Sequence, residues 1–83
     1  MDEGSRIRHT LFLRRVEPEK NVARFYALMI ERDLFDHIVL VRRWGRIGTR
    51  GRERSNLHAN ESAAAEALTK LAALKRRRGY RDL

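Results

Sequence analysis

The residues best suited to chemistry in this chain lie in one nine-residue stretch, Trp44-Gly45-Arg46-Ile47-Gly48-Thr49-Arg50-Gly51-Arg52. It holds the only tryptophan, three of the five glycines, and Arg46, Arg50 and Arg52. An arginine guanidinium is a planar fork of donors that matches phosphate oxygens. A tryptophan ring offers a flat face to a sugar, a base or another guanidinium. Glycines at this spacing describe a shaped turn, because glycine accepts positive φ and lets another backbone come close. The stretch therefore reads as a hairpin that presents cations and one aromatic plane. A hairpin that buries its tryptophan in the core and leaves its arginines solvated has the same sequence signature.

The distribution of charge favours the first reading. Up to Val41 the chain carries seven basic and seven acidic residues; from Arg42 onward there are twelve basic against four acidic, which accounts for the whole net charge of +8. An excess confined to the half that begins at the tryptophan loop, and built mostly of Arg, points to a polyanion partner, foremost nucleic acid. Arg42, Arg43, Arg50, Arg52 and Arg54 are the candidate phosphate contacts on this argument. A second basic run, Lys75-Arg76-Arg77-Arg78, ends a predicted helix, where cations also complement the helix dipole. Arg76 and Arg77 join the candidates from there, with Arg81 continuing the run.

Catalysis has little to stand on. Cysteine is absent, which removes thiol chemistry, disulfides and thiolate metal sites. His9, His37 and His58 fall on separate elements, and none has a second ligand at helical spacing. No serine sits in a nucleophile elbow, and the glycine loop fits neither a phosphate-binding P-loop nor a dinucleotide fingerprint. Asp33 and Asp36 flank Leu34-Phe35 as solvated turn residues would. A non-enzymatic protein without cofactor or metal is the expectation.

With 83 residues the chain makes one small domain. Residues 1–7 read as a flexible N-terminus and 8–83 as the domain. Arg8 to Val16, Val22 to Glu31, His37 to Trp44 and Arg52 to His58 read as strands, with Glu17-Pro18-Glu19-Lys20-Asn21 and Asp33-Leu34-Phe35-Asp36 as turns. An amphipathic helix competes for Ala23 to Arg32, since Ala, Leu and Met favour helices. Asn60 is an N-cap for a helix over Ala63 to Arg78, with Ala64, Ala67, Leu68, Leu71 and Leu74 as its apolar stripe and Gly79 as its stop. The prediction is an α+β fold: an antiparallel sheet of about four strands with one C-terminal helix packed across it. No apolar run is long enough to span a bilayer and no signal peptide precedes the strands, so a cytoplasmic protein is expected, associated with the nucleoid if it binds DNA. Membrane binding by the basic helix is disfavoured, because the sheet needs its Ala/Leu stripe as a lid.

Three separated pieces then resemble one family. Arg24-Phe25-Tyr26, the apolar strand into Arg43-Trp44-Gly45-Arg46-Ile47-Gly48, and a basic-ended helix running into Arg78-Gly79-Tyr80 together resemble the WGR domain, over about residues 8 to 82. The likeness is to small bacterial proteins made of this domain alone. The resemblance implies a compact sheet crossed by one helix. It also implies a role that WGR domains have in DNA-dependent poly(ADP-ribose) polymerases, which is binding at DNA strand breaks. There the tryptophan packs against sugar at the broken end and the arginine supports backbone and interdomain contacts; those roles would fall to Trp44 and Arg46, with Gly45 letting the backbone approach the strand. No transferase domain, helical regulatory domain or zinc finger lies within these residues, so activation by breaks has no target inside the chain. Ala27-Leu28-Met29-Ile30 also stands where many relatives place a glutamine near Met29.

The function expected is a nucleic-acid-binding module for DNA ends or nicks, acting through the arginine-rich hairpin and Trp44. The alternative is an adaptor that docks the same face on an acidic, separately encoded protein. No element resembles a recognition helix, and phosphate contacts alone carry no sequence information.

Overall fold

A computed structural model describes residues 10–83; the expectation for residues 1–7, and the first residues of the predicted first strand, fall outside them. The strands are β1 (Thr10–Glu17), β2 (Val22–Arg32), β3 (Ile38–Arg46) and β4 (Arg52–His58), followed by helix α1 (Glu61–Arg77) and a short β5 (Arg81–Asp82). All neighbours are antiparallel, in the order β4-β3-β2-β1-β5. The predicted meander and covering helix are therefore present. The addition is β5, in which the residues after the helix return to pair with β1 at Leu13 and Arg14.

The ambiguous segment is a strand. In β2 every second residue, Tyr26, Leu28 and Ile30, is buried on the face that carries the helix. A helical period would scatter those three side chains around an axis. Pairing with β1 on one side and β3 on the other also satisfies the backbone groups of β2 along its length, which helix propensity cannot outweigh.

The core lies between the sheet and α1. Leu13, Leu28 and Leu40 are almost wholly buried, with Tyr26, Ile30 and Ile38 beside them and Ala64, Ala72 and Tyr80 closing from above. The alanines let the helix approach closely. The apolar stripe is rotated slightly from its predicted position: Ala72 is buried and Leu74 is exposed.

Both helix ends are capped as the sequence indicates. Asn60 is extended, and its side-chain oxygen accepts from the Ala63 amide at 2.8 Å. At the other end the Gly79 amide donates to Arg76 O and the Tyr80 amide to Lys75 O, both at 3.1 Å, with Gly79 at φ +98°. This is the Schellman pattern, and Tyr80 supplies its apolar contact by entering the core. Asn60→Ala is expected to lower stability by about 1 kcal/mol. Urea unfolding followed by far-UV circular dichroism checks this, and an unchanged midpoint would show that the cap contributes nothing.

Candidate nucleic-acid interface

The parity of β3 decides which arginines meet. Strand residues alternate between faces, so Arg42, Trp44 and Arg46 share the helix-bearing face with Ile38 and Leu40, whereas Arg43 and Gly45 belong to the other. Directly opposite partners in adjacent strands share a face. Arg24 of β2 stands opposite Arg46, Arg54 of β4 opposite Arg42, and Arg52 opposite Trp44. Arg15 of β1 stands opposite Arg24 in turn. The sheet thus places Arg15, Arg24 and Arg46 in one row and Arg42 beside Arg54 in another, with Trp44, Tyr26 and Arg52 between them.

Trp44 is half-buried. Its ring lies 6.2 Å from that of Tyr26, tilted by 33°, and Tyr26 meets Tyr80 edge-on at 6.3 Å. The three sequence pieces that suggested a family therefore converge in one aromatic cluster. The Lys75 ammonium sits over it, 4.5 Å from the Tyr26 ring centre and 5.5 Å from that of Tyr80. Beside the cluster a shallow concavity of about 540 Å³ is lined by Arg24, Trp44, Gly45, Arg46, Gly51 and Arg52.

The electrostatics of this end are unbalanced. Among the described residues no carboxylate lies within 4.0 Å of Arg24, Arg42, Arg46, Arg52, Arg54 or Lys75. The acids pair elsewhere: Glu17 with Arg15 and Lys20, Glu61 and Asp36 with Arg32, and Asp82 with Arg76. Arg42 donates to Asn56 Oδ1 at 3.2 Å, while its buried Nε has no partner. Burial, then the nearby positive charges of Arg78, Arg24 and Arg42, hold the Lys75 pKa below the ordinary lysine value. The sign of that shift makes a prediction. An anion bound among these cations adds opposite charge and raises the Lys75 pKa, so an NMR titration of the Lys75 side chain with and without a saturating DNA duplex should show an upward shift. A downward or absent shift would place the anion elsewhere.

The hairpin geometry explains the glycines. Gly48 has φ +97° at the third position of the Arg46–Thr49 turn, closed by the Thr49 amide donating to Arg46 O at 3.0 Å. A Cβ on Gly45 would stand 2.7 Å from Gly51 Cα. The hairpin's own backbone therefore requires glycine at position 45. Arg46 ties this hairpin to the first turn, donating to Asn21 O at 3.3 Å and Asn21 Oδ1 at 3.2 Å.

Of the sequence candidates, Trp44, Gly45, Arg46 and Arg52 line the concavity, and Arg42 and Arg54 adjoin it on the same face. Arg43 and Arg50 line a different hollow on the uncovered face, and Arg43 lies 4.0 Å from Glu53. Arg76 is held by Asp82 through two bonds of 2.8 and 2.9 Å, and Arg77 is exposed in the last helical turn. Sequence reasoning named Lys75 in the basic run and Arg24 in the family resemblance but left both out of its contact candidates. Arg24 shares parity with Tyr26 and Leu28, and Lys75 follows Ala64, Leu68 and Leu71 at helical intervals, so their spacing carried the signal.

The described residues contain no group of three or more His, Asp or Glu positioned to hold a metal, and no helix long and apolar enough to cross a membrane. The chain is 42% identical over 73 residues to an uncharacterized protein, y4dW, of Sinorhizobium fredii. That match covers 88% of this chain but 36% of the relative, so the chain spans about a third of the relative's length. No solved structure matches it. The WGR-domain family model covers residues 9–83, so the chain belongs to the WGR family, whose members are non-catalytic modules of nucleic-acid-binding type.

Proposed function

We propose that this chain is a non-enzymatic module that captures DNA ends or nicks on the surface around Trp44. The observation that carries this reading is the set of like-charged cross-strand neighbours, Arg15–Arg24–Arg46 and Arg42–Arg54, flanking a half-buried tryptophan. Like charges directly opposite in a sheet destabilise it. Only Arg15 of the five has a carboxylate partner among the described residues. A sheet that keeps such rows is built to receive counter-charge from outside, and the spacing of successive phosphates supplies it in the form of a strand. Trp44 then packs its exposed part on a sugar or base that a continuous duplex would keep covered, which gives ends and nicks their advantage. Phosphate contacts position the strand without reading its sequence.

Fluorescence anisotropy with four labelled DNAs tests the proposal: blunt duplex, nicked duplex, single strand and end-capped hairpin. Nicked or open-ended DNA is expected to bind at least about 10-fold tighter than the capped hairpin, a gap of about 1.4 kcal/mol. Trp44→Ala should abolish that gap. Equal binding to all four, indifferent to Trp44, would overturn end recognition and favour docking of the same surface on an acidic protein.

A further inference from the structure

Among the described residues, the face of the sheet opposite α1 is uncovered and largely apolar. Phe12 is 50% and Leu57 65% exposed, and between them lie Phe25, Ala27, Met29 and Val41. A hollow of about 490 Å³ opens there over Phe12, Phe25, Ala27 and Met29. No other element of the described residues crosses this face, because α1 occupies the opposite one. The Arg43–Glu53 pair crosses it on β3 and β4, Arg50 borders the hollow from the hairpin, and the unpaired charges on its strands are sorted. Glu31 lies at one end, beyond Met29 on β2, and Arg14 lies at the other, opposite Phe25, with Arg81 opposite Arg14 on β5. Glu31, Arg14 and Arg81 have no ion-pair partner among the described residues.

We infer that this face binds a second copy of the chain in a two-fold dimer. The charge order is what selects a copy of itself as the occupant. A two-fold axis lying between two such faces, and crossing the strands between the levels of Ala27 and Met29, exchanges the two ends of each strand. Met29 of one copy then lies over Ala27 of the other, and Glu31 lies over Phe25 beside Arg14. The same contacts occur twice, as an isologous interface requires. The size is sufficient. With strands about 4.8 Å apart and a rise of about 3.3 Å per residue, β1 to β4 present a face of roughly 20 by 27 Å. Two copies stacked at sheet-packing distance remove on the order of 1,000 Å² from water, which reaches the lower limit for a specific interface. The dimer does not depend on what the Trp44 surface binds. It leaves the two Trp44 surfaces on its outer sides, open to ligand.

Sedimentation equilibrium over a range of protein concentrations tests this on the full chain. The expected result is a reversible dimer with a dissociation constant on the order of 10 µM, that of a weak specific association. Phe12→Asp, at a half-exposed position and with its fold checked by circular dichroism, should weaken it at least about 30-fold. Arg14→Glu and Glu31→Arg should each weaken it, and the double variant should recover most of the loss, because the swapped charges face each other again across the axis. Trp44→Ala should leave it unchanged. A chain that stays monomeric at millimolar concentration would overturn the inference. So would a dimer indifferent to Phe12→Asp, or a charge swap that fails to recover association.

Discussion

Gly51→Ala is expected to lower the folding free energy by about 2–5 kcal/mol, a large share of what a small domain possesses. Two effects add. Gly51 adopts φ +73°, a left-handed conformation that costs an L-residue about 1–2 kcal/mol. A Cβ there would also run into the carbonyl oxygen of Trp44 and stand 2.8 Å from Phe25 Cζ. The first obstacle is backbone, which cannot step aside without breaking the β3–β4 ladder, so the clash adds about 1–3 kcal/mol. Gly48→Ala isolates the first effect, since nothing lies within 4 Å of a Cβ at that position. Thermal unfolding should rank wild type above Gly48→Ala and Gly48→Ala well above Gly51→Ala, with the last at least about 10 °C below wild type. If the two variants unfold together, the close approach of the hairpin's backbones has no energetic weight.

The second large effect is on binding. If about four of the cations around Trp44 neutralise phosphates, DNA affinity should fall about 100-fold or more between 50 and 200 mM salt, since each contact contributes close to one unit of log–log slope. The distribution of that slope over residues is the sharper test. Arg24→Ala and Arg42→Ala should each reduce it by about one. Arg43→Ala should leave it nearly unchanged, because Arg43 belongs to the opposite face beside Phe25 and Glu53. Arg76→Ala should also change it little, because Asp82 already holds that guanidinium. Anisotropy titrations at several salt concentrations measure all four. An equal loss on removing Arg43 would mean that DNA contacts both faces and that parity does not organise the site.

That contrast between adjacent arginines separates what was legible in the chain from what was not. The apolar run Ile38-Val39-Leu40-Val41 marks β3, Asn60 and Gly79 mark the ends of α1, and the crowding of positive charge after Val41 marks the basic end; all rest on local chemistry and periodicity. A resemblance spread over three distant pieces named the family that the match over residues 9–83 then showed. Sequence reasoning grouped Arg43 with Arg42, Trp44 and Arg46, although period-two alternation along β3 sets it on the other face.

Alternation does not say which face the helix will cover, or which residue of the next strand will stand opposite. Those depend on register, and register is set by the burial of Leu13, Leu28 and Leu40 together under α1. Only that packing brings Arg24 opposite Arg46 and lowers Lys75 onto Tyr26. Only the closed hairpin shows that position 45 must be glycine because of Gly51, and position 51 because of the Trp44 carbonyl and the Phe25 ring. The sequence by itself marked β1, β3, β4, the helix and the part of the chain that bears charge, while β2 stayed open to a helical reading and β5 went unseen. The tertiary structure decided which of those charges share a surface, because long-range pairing places distant residues together and no local preference encodes their spacing.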